Sequence, residues 1–186
     1  MGVHVGDMGM PEMPERRKMV RIGVDPGIAG AVAVFENDEL INVLDLPVVR
    51  ERDTKLKLDP AALAARVRDL RPDSAMMERV GAMPGQGVTS MFNFGRSVGV
   101  IEGVLGALAI PVSFVAPATW KRVLNVGRDK RDARARASQL LPYAVEFWPL
   151  AKHHGRAEAA LIGLYSVRMD HATPVGSASI PVLIEW

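Results

Sequence analysis

The chain has no cysteine in its 186 residues. Disulfides and thiolate-bound metals are thereby excluded, and a reducing, cytoplasmic setting is the expectation. It also has no long apolar run. The longest candidate, Val98 to Val115, is interrupted by Glu102 and Pro111, whereas a membrane span needs ~20 apolar residues. No internal repeat and no second domain can be found. The first 18 residues hold four methionines, three glycines and two prolines without periodicity. They are too polar for a secretory signal and too acidic for a transit peptide. We read 1–18 as a disordered extension or a mis-assigned start, with Met19 a natural initiator.

Hydrophobic residues make up 48% and charged residues 24% of the chain, a globular balance that suits one domain with its own core. That domain is expected over 19–170, with 171–186 a tail. Net charge is only +2, but it is unevenly spread. Between Thr119 and Arg136 lie Lys121, Arg122, Arg128, Lys130, Arg131, Arg134 and Arg136, opposed only by Asp129 and Asp132. Such a cluster suits a polyanion such as nucleic acid. A solvated helix face with internal ion pairs is the competing reading.

Hydrophobic patterning predicts strands over Val20–Asp25, Gly30–Phe35 and Leu40–Leu46, joined by tight turns as an antiparallel meander. Arg50–Lys57 reads as a charged loop. Asp59-Pro60 is an N-cap followed by proline at the first helical position, opening a helix that Pro72 stops. Ser74–Glu78 reads as a strand, Gly81–Gly87 as a glycine-rich loop and Thr89–Ala109 as a long helix. A strand over Pro111–Val115 follows, then helices over Pro117–Leu124, Lys130–Leu141 and Gly155–Arg168. Strands separated by helices imply parallel crossovers, so the fold is expected to be a mixed α/β sheet.

Two strands end in acids. Asp25 is followed by Pro26-Gly27, and Met76-Met77 leads into Glu78. If the strands are neighbours, two carboxylates converge at one sheet edge, a charge that a divalent cation relieves. Oxygen ligands favour Mg²⁺ or Mn²⁺ over zinc. Either acid alone could equally be a surface carboxylate at a turn. The third feature is His153-His154-Gly155-Arg156-Ala157-Glu158, which opens an otherwise apolar helix. His154 and Glu158 are four apart and share a helical face. A hydrated helix start is the alternative, and a zinc site lacks the further His or Cys that would complete it.

These residues resemble a known family. Ile22-Gly23-Val24-Asp25-Pro26-Gly27 resembles the first-strand motif of RuvC-type Holliday junction resolvases, and Glu78 matches the acid ending that family's fourth strand. Phe94 through Gly103 resembles the helix that follows. Pro117 through Arg122 and Val126 through Lys130 resemble its basic segments. His154 through Leu164 resembles its last catalytic helix, in the form seen in phage and other divergent members. The likeness runs from about residue 20 to 168.

The resemblance implies an RNase H-like mixed five-stranded sheet, an antiparallel meander plus parallel strands, flanked by helices. It implies an endonuclease that cuts four-way DNA junctions by two-metal hydrolysis, in recombination, repair or phage DNA processing. Asp25, Glu78, His154 and Glu158 would hold two Mg²⁺ or Mn²⁺ ions, with His153 in reserve for His154. Many members carry two acids three residues apart in the last helix, whereas Gly155 stands three residues before Glu158 here. Lys121, Arg122, Arg128, Lys130 and Arg134 would bind DNA. Met91 and Phe92 could wedge between bases, or pack in the core. A homodimer is implied, with the glycine-patterned helix from Gly95 to Gly106 facing either its partner or the sheet. No membrane and no small-molecule cofactor is expected, and the setting would be the cytoplasm of a bacterial or phage-infected cell. Three readings compete: a nuclease of this fold acting on other branched DNA or RNA–DNA hybrids, a non-catalytic branched-DNA-binding module, and a sugar- or acetate-kinase-like ATPase, for which the chain is short.

Overall fold

A computed structural model describes residues 17–50, 56–79, 81, 85, 87–127 and 129–172. Three strands open the fold: β1 (Val20–Asp25), β2 (Ala31–Glu36) and β3 (Glu39–Asp45). Each pairs antiparallel with the next. The β2–β3 turn is tight because Asn37 and Asp38 both take positive φ, 48° and 72°, the conformation that matches the twist of a two-residue hairpin. The strand β6 (Ser74–Glu78) then lies parallel to β1, and β7 (Val112–Val115) parallel to β6. The sheet order is β3-β2-β1-β6-β7, which is the mixed five-stranded sheet expected from the sequence.

The segment read as a charged loop is different at its flanks. Val48–Arg50 (β4) and Leu56–Leu58 (β5) form a two-stranded antiparallel ribbon. Arg50 and Lys57 hide its apolar content, and three-residue strands that bury only Leu58 are too short to show a period. Residues 51–55, within that loop, lie outside the described residues, as do 1–16 and 173–186.

Helices cover both faces of the sheet. The helix α1 (Pro60–Leu70) starts where Asp59 accepts the backbone N–H groups of Ala61 and Ala62, each at 3.0 Å. It stops at Arg71, which takes a left-handed conformation. With α2 (Val88–Ala107) it buries Leu63, Val67, Ile101, Val104 and Leu105 against Ile22, Val24 and Met77. On the opposite face lie α3 (Pro117–Val123), α4 (Lys130–Leu140) and α5 (His154–Ala172). They pack Trp120, Leu124, Leu161 and Ile162 against Phe35 and Val43. Two 3₁₀ turns, Pro142–Phe147 and Ala151–His153, link α4 to α5. The last helix runs four residues past the expected Arg168, where Asp170 pairs with Arg21 and His171 with Asp38.

The closest approach of helix to sheet is α5 on β1. A Cβ on Gly23 would overlap the backbone of Gly163 and Ala159, and one on Gly163 would overlap the Phe35 ring. Glycine at both positions lets α5 lie directly on β1, which fixes its height above the strand that carries Asp25. The glycines of α2 are used differently. Cβ atoms on Gly95, Gly99, Gly103 and Gly106 would each meet nothing within 4 Å. They do not pack on the sheet.

Candidate functional site

Parallel pairing of β1 with β6 sets Val24 opposite Met77. Asp25 and Glu78, one residue further on, therefore end neighbouring central strands on the same edge of the sheet. α5 begins above this edge. A Cβ on Gly155 would lie 2.9 Å from Asp25 Oδ2, and closer still to the Ala29 carbonyl oxygen. The first turn of α5 thus rests on the Asp25 carboxylate; its first residue, His154, is half-buried. One turn later comes Glu158, near enough that its charge helps raise the pKa of Glu78.

Glu78 is shifted by its surroundings. Burial raises its pKa from the ordinary value, the Trp120 hydrogen bond pulls it back, and Glu158 and Lys121 act in opposite directions. The partner holding it is specific: Trp120 Nε1–H donates to Glu78 Oε1 at 2.8 Å. Trp120 itself is fully buried. The next residue, Lys121, places Nζ 3.3 Å from Glu158 Oε1 and 5.1 Å from the Trp120 ring centroid. Helix α3 therefore holds both glutamates through adjacent side chains.

A second tether fixes the start of α5. Arg156 grips Asp45, at the end of β3, through two 2.6 Å bonds, and donates to the Phe147 carbonyl at 3.1 Å. The guanidinium holds the Asp45 carboxyl below its ordinary pKa, mainly by hydrogen bonding. The two adjacent histidines divide. His153 Nδ1 accepts the Leu150 N–H at 3.4 Å, and burial, Arg156 and Lys152 lower its pKa. His154 is the first residue of α5.

Of the sequence-selected acids, the fold brings Asp25, Glu78 and Glu158 to one region. It does not draw them into a finished cage: among the described residues no three His, Asp or Glu side chains gather closely enough to hold a metal ion. In kind, the donors fit a hard divalent cation, since they are carboxylates from three elements, one of which, half-buried Glu78, is made costlier to ionise by its surroundings. Of the basic residues, Lys121 meets Glu158, Arg122 is exposed on the same helix, and Arg134 is half-buried on α4, close enough to His153 to depress its pKa. Arg128 and the Lys130 side chain lie outside the described residues.

Sequence reasoning singled out neither Trp120 nor the Asp45–Arg156 pair. A lone tryptophan in a short helix carries no pattern, and Asp45 and Arg156 are 111 residues apart. On the α2 side, Glu78 also lines a pocket of about 280 Å³ with Arg79, Val98, Glu102 and Phe114. Phe92 stands 70% exposed near the start of α2, so it is not a core residue, whereas Met91 is half-buried.

The sheet order and the helices on both faces give an RNase H-like fold. Within that class the fold is RuvC-like. The chain is similar to RuvC of Thermus thermophilus solved in complex with a Holliday junction substrate, at 16% identity and a TM-score of 0.52, covering 81% of this chain and 96% of that one. A second structure of Thermus thermophilus RuvC aligns at 16% identity and a TM-score of 0.51, covering 82% and 97%. The yeast mitochondrial Holliday junction resolvase Ydc2 aligns at 14% identity and a TM-score of 0.45, covering 82% of each chain. No protein-family profile and no curated protein matches the sequence.

Proposed function

We propose that the protein is a metal-dependent, structure-selective endonuclease that cuts four-way DNA junctions. One observation carries the reading: two neighbouring central strands end in Asp25 and Glu78, and α5 lays Gly155 on the first and brings Glu158 beside the second. Asp25, Glu78, Glu158 and His154 would hold Mg²⁺ or Mn²⁺. When bound, such ions lower the cost of activating water and of charge on the departing 3′ oxygen. The residues of the chain do the rest. Arg122 and Arg134 offer cationic side chains on α3 and α4 that suit backbone phosphates. Exposed Phe92 suits contact with unstacked bases at a crossover. Cleavage on this scheme leaves a 5′-phosphate and a 3′-hydroxyl.

Two opposed strands need two sites, and a two-fold dimer supplies them. The open glycine face of α2 supports that arrangement. Gly95 and Gly103 lie four residues on either side of Gly99, and Arg96 and Glu102 lie three on either side. In an antiparallel pair centred on Gly99, each Arg96 falls opposite Glu102 of the other copy, while the glycines allow close backbone approach.

The test is cleavage of a panel containing a mobile junction, a fixed junction, a flap, a fork and an RNA–DNA hybrid, with Mg²⁺ or Mn²⁺. Wild type should cut the junctions in preference, and Asp25→Asn should abolish cutting while junction binding survives. Cutting by Asp25→Asn at the wild-type rate would remove the carboxylate site from the reaction. Preference for another member of the panel would change the substrate and keep the chemistry.

A further inference from the structure

The two glutamates of the site are each held by a neighbour on α3, and the neighbours differ in kind. Trp120 is neutral and fully buried, and its N–H orients Glu78. Lys121 is a cation on a flexible stem, with its side chain 30% exposed and that of Glu158 18% exposed. Its ammonium lies on Glu158 and also 5.1 Å from the Trp120 ring centroid. Glu78 and Glu158 repel each other, and Lys121 opposes that repulsion. Two carboxylates in a partly desolvated site require a positive charge, and Lys121 provides it.

We infer that Lys121 is the resident counter-ion of the metal-free site, so that a divalent cation and the Lys121 ammonium compete for Glu158. This rests on the metal-site reading above and adds a direction to it. A lysine that only bound substrate would leave metal affinity unchanged when removed. A lysine that shaped the site would weaken metal binding when removed. A competing counter-ion does the reverse: its removal leaves an uncompensated carboxylate pair and tightens cation binding. Trp120 makes the competition local, because its buried indole anchors the backbone from which Lys121 reaches. Released from Glu158, the ammonium becomes available to a phosphodiester of the substrate. Occupancy of the metal site and readiness of Lys121 for substrate are then one event.

The test is calorimetric titration of Mn²⁺ alone into the full chain, without nucleic acid, for wild type, Lys121→Met, Lys121→Gln and Lys121→Arg. Removing one unit charge a few ångströms from the ligand set should tighten Mn²⁺ binding by roughly tenfold in the Met and Gln variants. The Arg variant should stay near wild type. In a junction-nicking assay the half-saturating Mn²⁺ concentration should fall in the Met variant while kcat also falls, a split that misfolding does not produce. Met and Gln variants that keep the wild-type circular dichroism but bind Mn²⁺ no more tightly overturn the inference and leave the metal site standing. A wild-type chain that binds no Mn²⁺ overturns the metal site and the inference together.

Discussion

Substituting Gly155 by alanine probes the contact on which the site depends. Elsewhere in a helix the change would favour folding, because alanine exceeds glycine in helix propensity by about 1 kcal/mol. Here the new methyl would lie 2.9 Å from Asp25 Oδ2 and still nearer the Ala29 carbonyl oxygen. Carbon–oxygen contacts ordinarily begin at about 3.3 Å, so the start of α5 must retreat by several tenths of an ångström to about 1 Å. The tether from Arg156 to Asp45 and Phe147 resists that retreat. Overpacking of this kind costs about 1–3 kcal/mol, which exceeds the propensity gain across most of its range. The net cost of up to about 2 kcal/mol should lower the melting temperature by up to about 8 °C for a chain of this size. Activity should fall further than stability, because α5 carries His154 and Glu158 and a misplacement on the order of 1 Å can cost about 100-fold in rate. The assays are differential scanning fluorimetry and junction nicking at saturating Mn²⁺. Wild-type cleavage by Gly155→Ala would refute the placement of α5 against Asp25, whatever happened to stability.

Three further predictions follow from the same geometry. Burial raises the Glu78 pKa in the folded chain, so the wild type carries a cost above that pKa which vanishes below the unfolded value. Glu78→Gln should therefore melt higher at neutral pH, converge with wild type in acid and lose cleavage; a neutral-pH melting temperature below wild type would contradict the burial argument. Asp45 is shifted the other way by its hydrogen bonds to Arg156, so its contribution is present above the ordinary carboxylate pKa and disappears as pH falls through the depressed one. Melting curves of wild type and Asp45→Asn should converge in acid, and parallel curves would remove the tether from the stability of α5. Because the chain has no cysteine, Gly99→Cys introduces a single thiol on the open face of α2. It should oxidise to a covalent dimer, since a disulfide needs Cα atoms only about 4.4–6.8 Å apart, and a dimer in ultracentrifugation that does not cross-link would place the interface elsewhere.

The fold was legible where burial imposes a period. β1 and β2 are nearly continuous apolar runs because both are central, and the Asp59-Pro60 start of α1 is a local device that needs no tertiary information. The ribbon of β4 and β5 was not legible, because its pairing partners are each other and each strand is three residues long, with only Leu58 buried in the core. The C-terminal turn of α5 was missed for a related reason. It is held by ion pairs from Arg21 and Asp38, residues that a local reading of Met169-Asp170-His171 cannot supply.

The site divides along the same line. The three acids could be selected from sequence because each interrupts an apolar segment, which is a local anomaly. What determines their behaviour could not be selected, because every controlling contact is long-range: Trp120 on Glu78 across 42 residues, Lys121 on Glu158 across 37 and Arg156 on Asp45 across 111. Gly155 is the instructive case. In sequence it reads as a departure from the spacing of acids in the resembled family, a gap where a ligand is expected. In three dimensions a side chain at that position would collide with Asp25 Oδ2 and the Ala29 carbonyl. The departure and the close approach of α5 are therefore the same feature. A helix seated this low on the strand end has no room for a side chain at 155.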